Sequence, residues 1–351
     1  MFKKGDNLFI QIIWGYSPEL RALAPSENYF LHAVAVARRA GFRTILFLRG
    51  DKAALERDPN FDPSTEVVVY TNTAQFLYFV WRHRQALFYV NSFSIRSLMV
   101  PWLATKTIFA GHRSLVRENA WRQMVQSIAL FRFKKIRVFS AAEQRILDRG
   151  LLRNKLIFSP FAVDVDAFSN LGGGNRKGLV YLGNVTAVKN LPTIFLALAA
   201  VRRTIPDMTL SIIGLIKDEN FYQQAQEYGV EDSIIEVGFL EYAQLAPVLR
   251  TYSILVNASI REGQCLSVYE GVLCGLAACL PKIPSFTFPF ADAALFHDVY
   301  DAQMLADNIL RYIADEDLRL RHTLRCRAYV NTEYNPARVE AQLRELFLSF
   351  R

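Results

Sequence analysis

Short apolar runs alternate with longer amphipathic stretches along almost the whole chain, and that rhythm is the first thing the sequence offers. Leu8–Trp14, Thr44–Leu48, Glu66–Tyr70, Leu87–Val90, Lys106–Phe109, Ile136–Ser140 and Leu156–Phe158 are rich in β-branched and aromatic residues. Most are continuously apolar rather than alternating, the mark of strands covered on both faces in a parallel sheet. Between them, spacings of three and four predict helices over Glu27–Ala40, capped by Ser26 and stopped by Gly41, and over Ala74–Arg84 and Ser94–Ala104, with another starting at Ser140. Gly15–Pro25 reads as a loop. This is a βαβ series whose loops gather at strand carboxyl ends.

The second half repeats the scheme. Strands are expected at Leu179–Leu182, Thr209–Ile213, Ile234–Val237 and Ile254–Val256, and helices at Leu191–Arg203, Asn220–Tyr228, Tyr242–Arg250, Leu266–Cys274, Ala302–Ala314 and Asp317–Val330. Asp164–Arg176, with Gly172, Gly173 and Gly174, reads as a linker. The chain therefore divides into a Rossmann-like domain over 1–163, a linker over 164–176, a second Rossmann-like domain over 177–334, and a terminal amphipathic helix over 335–351 able to cross back to the first domain.

Composition narrows the class. At 351 residues and 52% hydrophobic content the chain can fill two cores. The four cysteines show no metal-ligand or Cys-x-x-Cys spacing, which points to reduced thiols in a cytoplasm and to no structural metal. No signal peptide is legible, and the greasiest region is broken by Arg82, His83 and Arg84, far short of the roughly 20 residues of a spanning helix. Residues 1–163 carry 24 Lys and Arg against 11 Asp and Glu, hence +13, while the remainder carries 17 against 22, hence −5. The basic half, with its interleaved aromatics, suits a nucleotide donor, nucleic acid or an anionic membrane surface. Its stretch 113–137 fits either a basic amphipathic membrane surface or a half-buried helix with arginines reaching outward.

Candidate chemistry concentrates at one corner. Ile254–Val256 leads into a loop over Ser259–Gln264 and then a helix from Leu266, so Glu262 lies in the loop and Glu270 about one turn inside the helix. A helix start presents free N–H groups and the positive end of the macrodipole, which suits a phosphate. Carboxylates repel phosphate but accept hydrogen bonds from sugar hydroxyls, so the corner suits a sugar and a diphosphate together. In the first half, His112 follows a strand's carboxyl end, where it could position a sugar or acceptor hydroxyl or serve as a structural hydrogen-bonder.

These residues resemble retaining glycosyltransferases of family 4 (glycosyl transferases group 1). The resemblance runs through Leu179–Gly183, Lys189, Ser211–Gly214 and Glu236–Phe239 to Glu262–Ala277, and more weakly through Ser26-Glu27-Asn28, Gly111-His112, Phe139–Glu143 and Ser159–Asp164. It implies the GT-B fold, an α/β architecture of two doubly wound Rossmann-like domains facing a central cleft. It also implies a hexosyltransferase-type enzyme that moves a sugar from a UDP- or GDP-sugar to a glycan or lipid-linked acceptor in surface polysaccharide or glycolipid synthesis. By the resemblance Glu270 holds the donor ribose, Glu262 the transferred sugar, and the backbone of Gly263, Gln264, Cys265 and Leu266 the diphosphate. Lys189 neutralises the leaving group, Gly183, Asn184 and Gly214 line the donor side, His112 serves the sugar, and Gly15, Tyr16 and Arg113 lie on the acceptor side. No cofactor or metal is implied, nucleic acid is not a partner, and the expected station is cytoplasmic, with the inner face of the membrane as a peripheral site. Three departures stand out: Asn184 occupies the family's arginine position, Phe161-Ala-Val-Asp164 replaces its Asn-Gly-Val-Asp turn, and Gly15 stands alone in the first loop. Arg261 or Arg113 could supply the missing cation. The alternative is a degenerate, non-catalytic homologue that binds nucleotide sugar or glycan as a partner subunit; a sugar-nucleotide epimerase is a lesser third.

Overall fold

A computed structural model describes residues 7–16, 28–58, 61–91, 94–111, 128, 130–148, 150–169, 171 and 176–351. The chain forms two compact units, one of 1–161 with 337–351 and one of 162–336.

The first unit is built on a seven-stranded sheet: β1 (Leu8–Tyr16), β2 (Arg43–Gly50), β3 (Glu66–Val69), β4 (Leu87–Val90), β5 (Lys106–Phe109), β6 (Lys135–Val138) and β7 (Leu156–Phe158). Its order is β3-β2-β1-β4-β5-β6-β7, with every pairing parallel. Side chains on both faces of β1 are buried, Phe9 and Ile10 alike, which is why its run is continuously apolar. Helices Thr73–Arg82 and Ile95–Leu103 cover one face through Phe76, Val80 and Val100. Each starts where a side chain replaces a missing helical acceptor: Asn72 Oδ1 accepts from the Gln75 N–H at 2.9 Å, and Ser94 Oγ from the Ser97 N–H at 3.1 Å. The helix Pro336–Leu348 buries Val339, Leu343, Leu346 and Phe347. The Phe347 ring lies 4.9 Å from Phe9 and 5.7 Å from Tyr89, and Glu340 pairs with Arg39 at 2.7 Å.

The second unit holds β8 (Leu179–Leu182), β9 (Leu210–Ile213), β10 (Ile234–Gly238), β11 (Ile254–Val256), β12 (Ala277–Pro281) and β13 (Leu295–His297) in the order β10-β9-β8-β11-β12-β13, again all parallel. One core lies on each side of this sheet: one around Leu255, Val272 and Phe286, the other around Ile194, Phe195 and Leu305.

The structure departs from the sequence reading at several points. β1 continues through Gly15 to Tyr16, where the reading placed a loop; a register shift between Trp14 and Tyr16 leaves Gly15 unpaired within the strand. A short helix, Lys52–Glu56, was not expected, although Asp51 caps it through the Ala53 and Ala54 N–H groups at 2.8 and 3.2 Å. The stretch read as a linker opens with the helix Val165–Phe168, whose Val165 and Phe168 are buried in the second unit's core. β12, the helix Pro284–Phe290 and β13 were also missed. Ala277, Ala278 and Cys279 lack the β-branched signature of a strand, and β13 is too short for periodicity to register.

Candidate functional site in the second unit

β8 and β11 are neighbours in the sheet although two βα units separate them in sequence, so the strand order reverses between them. At such a point the connecting loops diverge and leave a crevice at the strand carboxyl ends. The loop after β8 carries Lys189 at the end of a 3₁₀ turn, Ala187–Lys189; the loop after β11 carries Glu262. Asn190 then adopts the left-handed region at φ 54° and turns the chain into the helix Leu191–Arg202, whose Pro192 suits the first turn. The Asn190 amide donates to the Ala258 carbonyl at 3.2 Å, and the Ile260 N–H donates to the Val188 carbonyl at 3.0 Å. These two ties hold the loops side by side.

Across that junction the Lys189 ammonium donates to Glu262 Oε1 in a mostly buried ion pair. The Ser259 hydroxyl also donates to that oxygen at 2.8 Å, and the Ser285 hydroxyl donates to the Glu262 carbonyl. Burial acts to lower the Lys189 ammonium, but the anionic forms of Cys265, Glu262 and Tyr181 outweigh it and the net shift is upward. Burial pushes the Cys265 thiol up to about 12, so that group is neutral near pH 7 and Glu262 is the anion that matters. Lys189 is thus a fixed cation, which is what stabilisation of an anion in a buried site needs.

Glu270 has a different environment. Its residue is 6% exposed, no described side chain or N–H group hydrogen-bonds its carboxylate, and burial pushes its pKa up to about 7. It lies in the helix Leu266–Leu273, whose start has no side-chain cap. Cys265 Sγ stands 3.3 Å from the Ser267 hydroxyl and the Cys265 carbonyl accepts from the Val268 N–H at 3.1 Å, so the N–H groups left to other acceptors are those at the very start of the helix, of Leu266 and Ser267. Gly263, Gln264 and Cys265 lead into this helix, and Leu266 is its first residue. A mostly buried carboxylate with no donor among the described residues is costly to ionise, and a ligand that brings hydroxyl donors suits it.

Gly183 and Gly214 directly follow β8 and β9, which are neighbours in the sheet. The Gly183 N–H donates to the Ile213 carbonyl at 2.8 Å and the Gly214 N–H to the Gly238 carbonyl at 2.9 Å, which stacks the loop starts. A Cβ on Gly214 would meet the Gly183 carbonyl oxygen at 2.2 Å, and its φ of +139° disfavours side chains. Gly214→Ala is therefore expected to cost more than about 3 kcal/mol, because the obstacle is backbone and cannot rotate away; thermal denaturation followed by circular dichroism checks it. Asn184 accepts from the Leu215 N–H through Oδ1 at 3.0 Å, and its carbonyl accepts from the Tyr181 hydroxyl at 3.2 Å. It braces the loops after β8 and β9 and offers no cation.

In the first unit the strand order reverses between β1 and β4. Gly15 and Tyr16 end β1, and Gly111 follows β5. His112 and Arg113 lie outside the described residues, as does most of the basic stretch 113–137. Arg261 is exposed in the loop that carries Glu262. Among the described residues no group of His, Cys, Asp and Glu is arranged to hold a metal ion.

Sequence reasoning missed Asn190, Ser259 and Ser285. For Asn190 a signal existed: asparagine directly before Leu-Pro, the residue that tolerates left-handed backbone at a helix start. Ser285 had none, since it reaches Glu262 from 23 positions away.

No curated protein matches this sequence. Residues 164–329 match the model of the family Glycosyl transferases group 1. Among solved structures, the sucrose-phosphate synthase tll1590 from Thermosynechococcus elongatus has a TM-score of 0.78 at 18% identity, covering 98% of each chain. A glycosyltransferase from Rickettsia africae ESF-5 has a TM-score of 0.78 at 14% identity, covering 98% of each. Alr3699/HepE from Anabaena, solved with UDP and glucose, has a TM-score of 0.77 at 16% identity, covering 97% of this chain and 99% of its own. The chain thus has the GT-B glycosyltransferase fold, and residues 164–329 are the part that carries the match to glycosyl transferases group 1.

Proposed function

We propose that this chain is a retaining glycosyltransferase of the family 4 type, which moves a hexosyl group from a UDP- or GDP-sugar to a glycan or lipid-linked acceptor during synthesis of surface polysaccharide or glycolipid. The observation that carries the reading is Glu270: a mostly buried carboxylate with no donor among the described residues, one turn inside a helix whose start has no side-chain cap and which follows the loop that carries Glu262. A nucleotide sugar supplies what each group lacks. Its ribose diol donates to Glu270, its diphosphate accepts from the N–H groups after Gly263, and a hydroxyl of the transferred sugar donates to Glu262. HepE, solved with UDP-glucose, supports a uridine donor. The four free, buried cysteines suit a reducing, cytoplasmic compartment.

In the reaction the bond between the sugar's anomeric carbon and the phosphate oxygen breaks. The acceptor oxygen attacks the same face, and the departing phosphate oxygen takes the acceptor's proton. Charge builds on the diphosphate as that bond lengthens, and Lys189 is the cation assigned to neutralise it. His112 is assigned to the sugar, and Gly15, Tyr16 and Arg113 to the acceptor. Proton NMR of the first product checks the stereochemistry: the linkage keeps the donor's anomeric configuration, and an inverted product contradicts the retaining mechanism.

Asn184 favours a second reading. With its side-chain oxygen committed to the Leu215 N–H it brings no cation to the leaving group, as a non-catalytic, sugar-binding subunit would show. Donor binding without turnover in the presence of candidate acceptors selects that reading.

A further inference from the structure

Three neighbouring helical segments cover the same face of the first sheet, and their outward sides are apolar. Helices Thr73–Arg82 and Ile95–Leu103 lie side by side, joined where the Arg96 Nε donates to the Thr73 hydroxyl at 2.8 Å. The helical residues Ile128 and Leu130–Arg132 join them, because Leu130 and Phe133 enter the core beneath, as Phe76 and Val100 do. Inward positions account for the core, so the outward ones need their own explanation. Ile95 is 82% exposed and Trp102 61%, and Tyr78, Trp81, Ile128 and Phe131 are exposed with them. A patch of this kind on a water-facing helix pair is costly unless something covers it.

The charge on this face names the cover. None of the three segments contains Asp or Glu, whereas Arg82, Arg84, Arg132 and Lys134 are all exposed on or beside them. The cations also sit on the rings: the Arg132 guanidinium lies 4.3 Å from the Trp102 ring centre, Arg84 5.4 Å from Trp81, and the Lys155 ammonium 4.3 Å from Phe131. Tryptophan and tyrosine with apolar bodies and polar edges, flanked by arginine, match the layer between lipid headgroups and acyl chains. The excess of +13 over residues 1–163 adds attraction to anionic headgroups. Among the described residues no helix is long and apolar enough to cross a membrane, and an exposed aromatic and basic face is the feature they offer for contact with one.

We infer that this face, centred on Trp81, Ile95 and Trp102, docks on an anionic lipid bilayer, with the rings and Ile95 entering the interface and the arginines pairing with headgroup phosphates. The inference does not rest on glycosyl transfer: a Glu270→Ala protein, unable to hold a donor, is expected to dock unchanged.

The test is co-sedimentation of the full chain with phosphatidylglycerol-containing vesicles and with phosphatidylcholine vesicles at low salt. The parent protein is expected to partition onto the anionic vesicles, to leave them as salt rises, and to shift its tryptophan emission to the blue on binding. Replacing Ile95 and Trp102 together by serine is expected to weaken partitioning on the order of tenfold or more. Arg82→Gln and Arg84→Gln should each weaken it roughly fivefold. All four side chains are exposed, so the variants should fold, and circular dichroism verifies that. Absence of binding to anionic vesicles overturns the inference, as does binding that both sets of variants leave unchanged. A concentration-dependent dimer in sedimentation velocity that Trp102→Ser abolishes would assign the face to a second copy of the chain instead.

Discussion

At pH 8 the Glu270→Gln protein is expected to melt on the order of 5 °C above the parent while binding nucleotide sugar about a hundredfold more weakly. Both effects come from one buried carboxylate. Its pKa is raised from 4.5 to about 7 by burial, so the folded protein holds the proton more tightly than the unfolded chain. The sign follows: below about pH 4.5 both states are protonated and the group costs nothing, whereas above about pH 7 the full cost is present, about 3 kcal/mol for a shift of this size. The neutral amide removes that cost, so the gain in melting temperature should fade between pH 7 and pH 5. Donor binding moves the other way. A carboxylate that accepts both ribose hydroxyls is replaced by a group with one acceptor oxygen, and hydrogen bonds to a charged partner are worth about 1.5–3 kcal/mol each. In the parent protein, donor affinity should rise with pH through about 7 as the acceptor ionises. Calorimetric melts and donor titrations across that range check both halves. A glutamine variant that is less stable at pH 8 would show that Glu270 has a donor within the protein and is not waiting for a ligand.

The second large effect is expected at Lys189. Lys189→Met should lower turnover by about 10²–10³-fold, the usual loss when one fixed positive group is taken from a developing anion. It should also destabilise the fold, because Glu262 is left mostly buried without its cation. Breaking a buried pair from one side costs about 3–5 kcal/mol, and the Ser259 hydroxyl, still donating at 2.8 Å, should hold the loss near the low end. Lys189→Met combined with Glu262→Gln separates the two roles: the melting temperature should recover most of its loss and the turnover none of it. Stability and turnover recovering together would make the pair a structural clasp with no part in the chemistry.

The sheet strands were legible wherever β-branched and aromatic runs were long, as at Leu8–Trp14 and Leu87–Val90, because burial on both faces leaves a continuous apolar signal. β12 and β13 were not, since Ala277 and Ala278 carry little strand preference and three residues give no period. The Lys189–Glu262 meeting was not legible either. It depends on the strand order that places β8 beside β11, on the left-handed turn at Asn190, and on the amide of that residue reaching Ala258. A departure from family pattern, Asn184, could be seen in sequence, but its employment as a brace to Leu215 appears only when the loops after β8 and β9 are side by side. The same holds for the aromatic face: the run from Ala74 to Trp81 reads as greasy, and only the helix shows that Phe76 and Val80 turn inward while Tyr78 and Trp81 turn out.

On the proposed function, the corner between β11 and the helix Leu266–Leu273 seats a nucleotide sugar through Glu270. Isothermal titration of the parent and of Glu270→Ala with UDP-, GDP- and ADP-sugars tests it most directly. The account predicts that one nucleotide class binds the parent, with slow hydrolysis of that donor, and that the variant binds it on the order of a hundredfold more weakly. A donor held equally well by both proteins, or by neither, contradicts it.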